Sequence, residues 1–306
     1  MAILGATSQI AGDLIVSLSD RSDCKMALFA RRPEVVSNWL ARLELANRHA
    51  VAGFDAFDAA TGFDAVLNFV GVGAPATVEA LGSSVFDATM KYDDLAIRHV
   101  RRHPDCRYIF LSSGAAYGPV FDEPADATTR AVVAINGLMA RDWYSVGKLY
   151  AECRHRSLSP LPIIDVRVFS YCSHTQDISA RFLFADILRA LRTGERLITD
   201  PGNIVRDYIG PYDFYQLISR ILEAPPANDV VDCYTKAPVD KMTVLSLMNE
   251  RYGLRYEIGQ RPGSLDATGA KRNYFSKNRR AAVFGYLPSK SSLECISDEV
   301  RLALAQ

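Results

Sequence analysis

The first 170 residues alternate short apolar runs with longer stretches whose apolar residues recur every three or four positions, and no other feature restricts the fold as much. Short runs bounded by helical patterns read as strands buried on both faces, joined by crossover helices into a parallel sheet. Strands are expected at 2–4, 25–29, 65–70, 108–111 and 163–169. Helices are expected after the turn at Gly5, where Ile10, Leu14, Ile15 and Leu18 share a face, then at 35–45 and 86–102, and around Tyr144. Past Phe169 polar loops take over, with amphipathic helices at 180–192 and 212–222 and a Pro/Gly-rich tail of short elements.

Residues 1–12 read Met-Ala-Ile-Leu-Gly-Ala-Thr-Ser-Gln-Ile-Ala-Gly: an apolar strand, a turn of small residues and the start of a helix. Unpaired backbone N–H groups and the helix dipole make such a start an anion site, so Gly5, Thr7, Ser8, Gln9 and Ile10 are candidates for holding a dinucleotide pyrophosphate. Further on, Leu-Ser-Ser113-Gly-Ala-Ala-Tyr117-Gly118 precedes Tyr144-Ser-Val-Gly-Lys148. A free phenol, with a pKa of about 10, is a poor acid-base catalyst at neutral pH, and a fixed ammonium lowers that value. Lys148 falls one helical turn from Tyr144 on the same face, in reach of the phenol directly or through a cofactor hydroxyl. With Ser113 holding a substrate oxygen, the three supply the proton transfer that carbonyl chemistry requires. The spacing alone is equally met by an amphipathic helix with a surface lysine; the turn upstream shifts the reading to catalysis.

Taken together, these segments resemble the extended short-chain dehydrogenase/reductase family, in particular its NAD(P)-dependent nucleotide-sugar epimerases, dehydratases and reductases. The 5–11 turn is similar to the family's GxxGxxG with Ser8 and Ala11 in place of its second and third glycines, and 109–113 is similar to the strand that delivers its catalytic Ser or Thr. Val205-Arg206-Asp207-Tyr208-Ile209 and Arg261-Pro262-Gly263 resemble two motifs whose arginines bind the sugar-nucleotide diphosphate. The resemblance implies an α/β fold, a Rossmann-type doubly wound parallel sheet over 1–170 joined by about 205–235. A smaller C-terminal substrate-binding region drawn from 171–306 interleaves with it. It also implies a nucleotide-diphosphate sugar as the substrate and a homodimer as the assembly. Residues 167–174, Arg-Val-Phe-Ser-Tyr-Cys-Ser-His, depart from the RxFNxYGP of relatives, and His174 there is either a second acid for the substrate or a structural loop histidine.

The cofactor is read at the end of the second strand, where an acidic residue bonds the ribose 2′-OH of NAD and arginines accommodate a 2′-phosphate. Here the chain continues Ala-Arg31-Arg32-Pro, which favours NADP over NAD unless the two arginines only form a solvated turn. Asp55, like Asp58, resembles the family's adenine-contacting loop or caps the next helix. Dehydratases carry an Asp-Glu pair just after the catalytic Thr; Gly114 and Ala115 stand there and exchange no protons. The reading is therefore an NADPH-dependent reductase of a 4-keto nucleotide sugar. A nucleotide-sugar epimerase with tightly bound NAD comes second, and a non-catalytic NADP-binding sensor or scaffold third.

Composition narrows the partners. The 35 basic and 35 acidic residues cancel, so no net field draws the chain to nucleic acid or an anionic membrane. The cysteines 24, 106, 153, 172, 233 and 295 form no CxxC pair and no cluster with histidine, the pattern of reduced thiols in a cytoplasmic protein without a metal site. No apolar run approaches the roughly 20 residues that span a bilayer, and the chain enters its first strand without a basic leader.

Overall fold

The computed structural model describes residues 1–21, 24–59, 62–71, 82–259 and 271–305. Its centre is built from β1 (Ala2–Leu4), β2 (Ala27–Phe29), β3 (Ala50–Ala52), β4 (Ala65–Asn68), β5 (Arg107–Ser113) and β6 (Ile163–Val168). Short strands β7 (Ser170–Tyr171), β8 (Leu197–Thr199), β9 (Val205–Arg206) and β10 (Tyr208–Ile209) lie outside it, and β11 (Asp229–Asp232) then returns to it. The order is β3-β2-β1-β4-β5-β6-β11, with every pair parallel. Its helices are α1 (Gln9–Ser19), α2 (Pro33–Arg42), α3 (Ser84–Arg102) and α4 (Trp143–Ser157), followed by α5 (Leu183–Thr193) and α6 (Pro211–Glu223).

Successive side chains of a strand point to opposite faces, and the core divides accordingly. Ile3, Leu28, Leu67, Ile109 and Ile164 pack with Leu14 and Leu18 of α1 and Phe214, Leu217 and Ile221 of α6. Leu4, Phe29, Val66, Tyr108 and Phe110 pack with Leu95 and Val100 of α3 and Ala151 of α4. Both faces are covered, which is why these strands carry near-continuous apolar runs.

Of the strands that differ from the sequence expectation, β3 and β5 do so for evident physical reasons. Strand β3 was not foreseen: Ala-Val-Ala at the sheet edge has an exposed first residue and no run or alternation to mark it. Strand β5 extends to Ser113, because Ser112 pairs with Arg167 and Ser113 with Val168 although neither serine is apolar.

The C-terminal region has its own core, Phe184, Leu188, Leu245, Met248 and Val300, between α5, α7 (Lys241–Tyr252) and α8 (Ser292–Leu304). Instead of short elements alone, the tail thus holds two full helices. Both carry start signals that the Pro/Gly texture obscured: Asp240 accepts from Thr243 N at the start of α7, and Ser291 with Glu294 forms a capping box at the start of α8. Strand β9 is flanked by β12 (Val239–Asp240) and β14 (Asn273–Tyr274), and β8 pairs with β13 (Tyr256–Ile258). No helix among the described residues is long and apolar enough to cross a membrane.

Candidate active site

Gly5 follows β1, Arg31 follows β2, Asp55 follows β3 and Ser113 closes β5, so all four stand at the carboxyl ends of the strands, the edge where open α/β sheets bind ligands. Gly5 has φ +81°, and a Cβ there would lie 2.9 Å from Val70 N, so only glycine lets this turn lie so close to the end of β4. Ser8, the N-cap of α1, spends no side-chain bond on the helix. Gln9 Nε2 is buried without a hydrogen-bond partner among the described residues. A left-handed glycine, an uncapped helix start and an orphaned amide fit a dinucleotide's phosphates. Thr7 is exposed beside them, while Ile10 gives its side chain to the core. Arg31 and Arg32 are exposed at the start of α2, and Asp55 is exposed in the turn after β3. Asp58 is otherwise engaged, paired with Arg98 at 3.1 Å and Arg102 at 3.0 Å.

The structure brings Ser113, Tyr144 and Lys148 together. The Ser113 hydroxyl is near enough to the Tyr144 phenol to favour its ionised form. Lys148 donates from Nζ to Leu111 O at 2.7 Å, lies 4.4 Å from the Phe110 ring centroid and 5.9 Å from that of Tyr144. Ser145 ties the start of α4 to the Ser113 turn, donating to Ala115 O at 2.7 Å. One expectation is corrected: the Tyr144 pKa is not lowered but raised, because desolvation outweighs the effect of the Ser113 hydroxyl. The lysine's own charge is weakened in the same way, since burial brings it down to about 8 against the opposing pull of Glu152, Asp165 and Asp93.

Beneath the three lies a buried polar layer. Glu152, one further turn along α4, accepts from Ser112 Oγ at 2.5 Å and from Arg167 Nε at 3.0 Å. Arg167 stacks 4.2 Å over the Tyr117 ring, and Tyr117 donates to Asp232 at 2.8 Å. Deeper still, His155 is held between Asp165 at 2.6 Å and Asp93 at 2.8 Å.

Sequence reasoning missed Tyr274. Its hydroxyl lies 3.2 Å from Ser113 Oγ, so three hydroxyls converge at one point. The ring belongs to an aromatic cluster with Phe121, Phe169 and Tyr117, and Phe169 fills the space against Gly114. No local pattern marks Tyr274, which reaches the site through pairing of β14 with β9. Glu152 was findable, because Tyr144, Lys148 and Glu152 recur every four residues along one helix face.

Arg206 joins this group: it is 5% exposed, its guanidinium lies 5.6 Å from the Tyr274 ring, and Nη1 donates to Lys271 O at 2.7 Å. Asp207 beside it is occupied by Thr235 and Ser292. His174 is placed differently from a substrate acid. Its Nδ1 bonds Glu299 of α8 at 2.7 Å, and the neighbouring Thr175 donates to Asp13 of α1, so this loop ties the C-terminal helix to the first helix. Arg261 lies outside the described residues.

Residues 1–234 match the model of the NAD dependent epimerase/dehydratase family. No curated protein matches the chain in sequence. Among solved structures, a UDP-N-acetylglucosamine 4-epimerase from Methanobrevibacter ruminantium M1, in complex with UDP-N-acetylmuramic acid, superimposes with TM-score 0.81 at 15% identity over 100% of this chain and 98% of that one. MoeE5 in complex with UDP-glucose and NAD gives 0.78 at 17% identity, over 99% and 98%. A UDP-glucuronic acid 4-epimerase from Bacillus cereus, with UDP-glucuronic acid and NAD, gives 0.77 at 15%, over 100% and 99%.

Proposed function

The chain belongs to the NAD dependent epimerase/dehydratase family, and within it we propose that it is a UDP-sugar epimerase working with NAD. The observation that carries this reading is the meeting of Ser113, Tyr144 and Lys148 at the sheet edge that also holds the Gly5 turn. The solved structures that share the fold include 4-epimerases, two of the three described above holding UDP-sugar with NAD.

Gly5, Ser8 and Gln9 would hold the pyrophosphate and Lys148 the nicotinamide ribose. NAD, when bound, supplies the acceptor and donor of hydride. Tyr144 takes the proton of the sugar hydroxyl as that carbon is oxidised and returns it on reduction, so the cycle needs no proton from outside. To take that proton Tyr144 must be the phenolate, a state that burial opposes and that the Lys148 ammonium, 5.9 Å from the ring, would favour. Ser113 donates to the substrate oxygen and holds it toward Tyr144. Gly114 and Ala115 put no carboxylate beside Ser113, so elimination of water has no base there. Arg206, and Arg261 by its motif, would take the diphosphate, a planar guanidinium matching two phosphate oxygens. A homodimer belongs to the same reading, and native mass spectrometry tests it.

The reductase remains the second reading, favoured by one observation: Arg31 and Arg32 are both exposed at the end of β2 with no acid beside them, as a 2′-phosphate would require. Incubating the purified protein with UDP-glucose, UDP-glucuronate and UDP-N-acetylglucosamine decides between the two. The epimerase reading expects interconversion of C4 epimers, no net absorbance change of the nicotinamide, and NAD released on denaturation. Stoichiometric oxidation of NADPH by a 4-keto sugar nucleotide, without such interconversion, would replace it by the reductase.

A further inference from the structure

One ammonium beside the catalytic group has no counter-charge among the described residues. Lys271 Nζ lies 4.6 Å from the Tyr274 ring centroid and 5.2 Å from that of Phe121, and among the described residues its side chain makes no ion pair or hydrogen bond. Burial, and then the nearby Arg206 guanidinium, bring its pKa down to about 8. A cation drawn from water and set near a second cation, with ring faces as its support among the described residues, is unfavourable until an anion arrives.

The position of this ammonium identifies the anion. Both rings beneath it belong to the aromatic cluster that reaches the catalytic serine: Tyr274 touches Ser113 at 3.2 Å, and Phe121 packs edge-on to Tyr274 at 4.8 Å and to Phe169 at 6.2 Å. Arg206, by contrast, is anchored to the backbone of its own strand pair through Val205 O and Lys271 O. The two cations also differ in kind. A guanidinium suits the paired oxygens of a phosphate, whereas an ammonium on a flexible stem acts as a point charge.

We infer that Lys271 recognises a carboxylate on the sugar, so that the substrates of this site are nucleotide-linked acidic sugars of the uronic acid class. The inference rests on the UDP-sugar reading and deepens it. The carboxylate and the diphosphate are two anions of one molecule, so the test must separate them.

Calorimetric titration of the full chain with UDP, UDP-glucose and UDP-glucuronate does so. Wild type should bind all three, the glucuronate most tightly. Lys271→Gln should raise the Kd for UDP-glucuronate about tenfold or more, the size of one lost charge-assisted hydrogen bond, and leave UDP and UDP-glucose within about twofold. Lys271→Arg, which keeps the charge, should retain most of the preference. A melting curve confirms that each variant is folded. Equal losses for UDP and UDP-glucuronate would assign Lys271 to the diphosphate and overturn the inference. Unchanged glucuronate affinity would overturn it as well. Failure of wild type to bind any of the three would instead refute the UDP-sugar reading itself, and the inference with it.

Discussion

Tyr144 is a phenol whose surroundings oppose its ionisation, and in the proposed cycle it must be ionised before it can take the sugar's proton and later return it. Replacing it by Phe deletes the proton and little else. Turnover should fall by roughly 10²- to 10⁴-fold, the usual contribution of a positioned acid-base group, while NAD binding measured by fluorescence quenching stays within about twofold. Near-normal turnover in Tyr144→Phe would remove it from the mechanism. Of the three hydroxyls that meet here, Ser113 and Tyr144 were legible, because strand, turn and helix periodicity place them locally. Tyr274 was not, since its place depends on a strand pairing whose partner lies far away in the chain. His174 shows the converse: a histidine near a family motif invites a catalytic role, and only the neighbouring Glu299 reveals its partner.

At the scale of elements, α4 carries the residues of the proposed chemistry. Lys148, Glu152 and His155 recur on its inward face, each gripping a different part of the sheet: Leu111 O, Ser112 with Arg167, and Asp165. Burial opposes a charged His155, but hydrogen bonds to Asp165 and Asp93 prevail and raise its pKa to about 9 from 6.5. The group is thus more easily protonated in the folded state, so its contribution to stability is complete below pH 6.5 and is lost as pH rises through about 9. His155→Ala removes one partner from each of two buried carboxylates, which keep Arg154 and Arg156, and should cost about 1–3 kcal/mol. Urea unfolding of both proteins should show that gap at pH 6 and a smaller one at pH 9.5; a gap that grows with pH contradicts the assignment. Glu152→Gln should lower kcat more than it changes KM, because it loosens the clamp between β5 and α4 without touching substrate. An equal kcat would show that the clamp does not set the Ser113–Tyr144 spacing. Helices α1 to α6 were legible to within a few residues because their periodicity is local, whereas α7 and α8 were not read from the sequence. Strand β3 was not, being three small residues that pair only because β2 is already there.

Across the whole molecule, the alternation of strand and helix announced the parallel sheet, and the chain's return through α6 and β11 completes it. The C-terminal region was less legible, since its own core is formed by helices whose apolar faces make sense only once they are packed together. The two regions are stitched where Asp13 of α1 accepts from Tyr171 and Thr175, both at 2.8 Å. NAD bound at the Gly5 turn stabilises whatever state forms that turn. At a free concentration one hundred times Kd, binding should add about 2.7 kcal/mol, or roughly 4 °C in melting temperature. NADP giving the larger shift at equal concentration would count for the reductase.

The hydrogen bond between Ser113 and Tyr274 spans 161 residues of chain. Closing so long a loop is slow compared with forming a helix, and domains of this size fold through intermediates. Secondary structure can therefore be regained while Tyr274 is still far from the serine. After dilution from denaturant, the far-ultraviolet circular dichroism signal should recover first and turnover should lag behind it. Turnover is then a more demanding gauge of correct refolding than helix content.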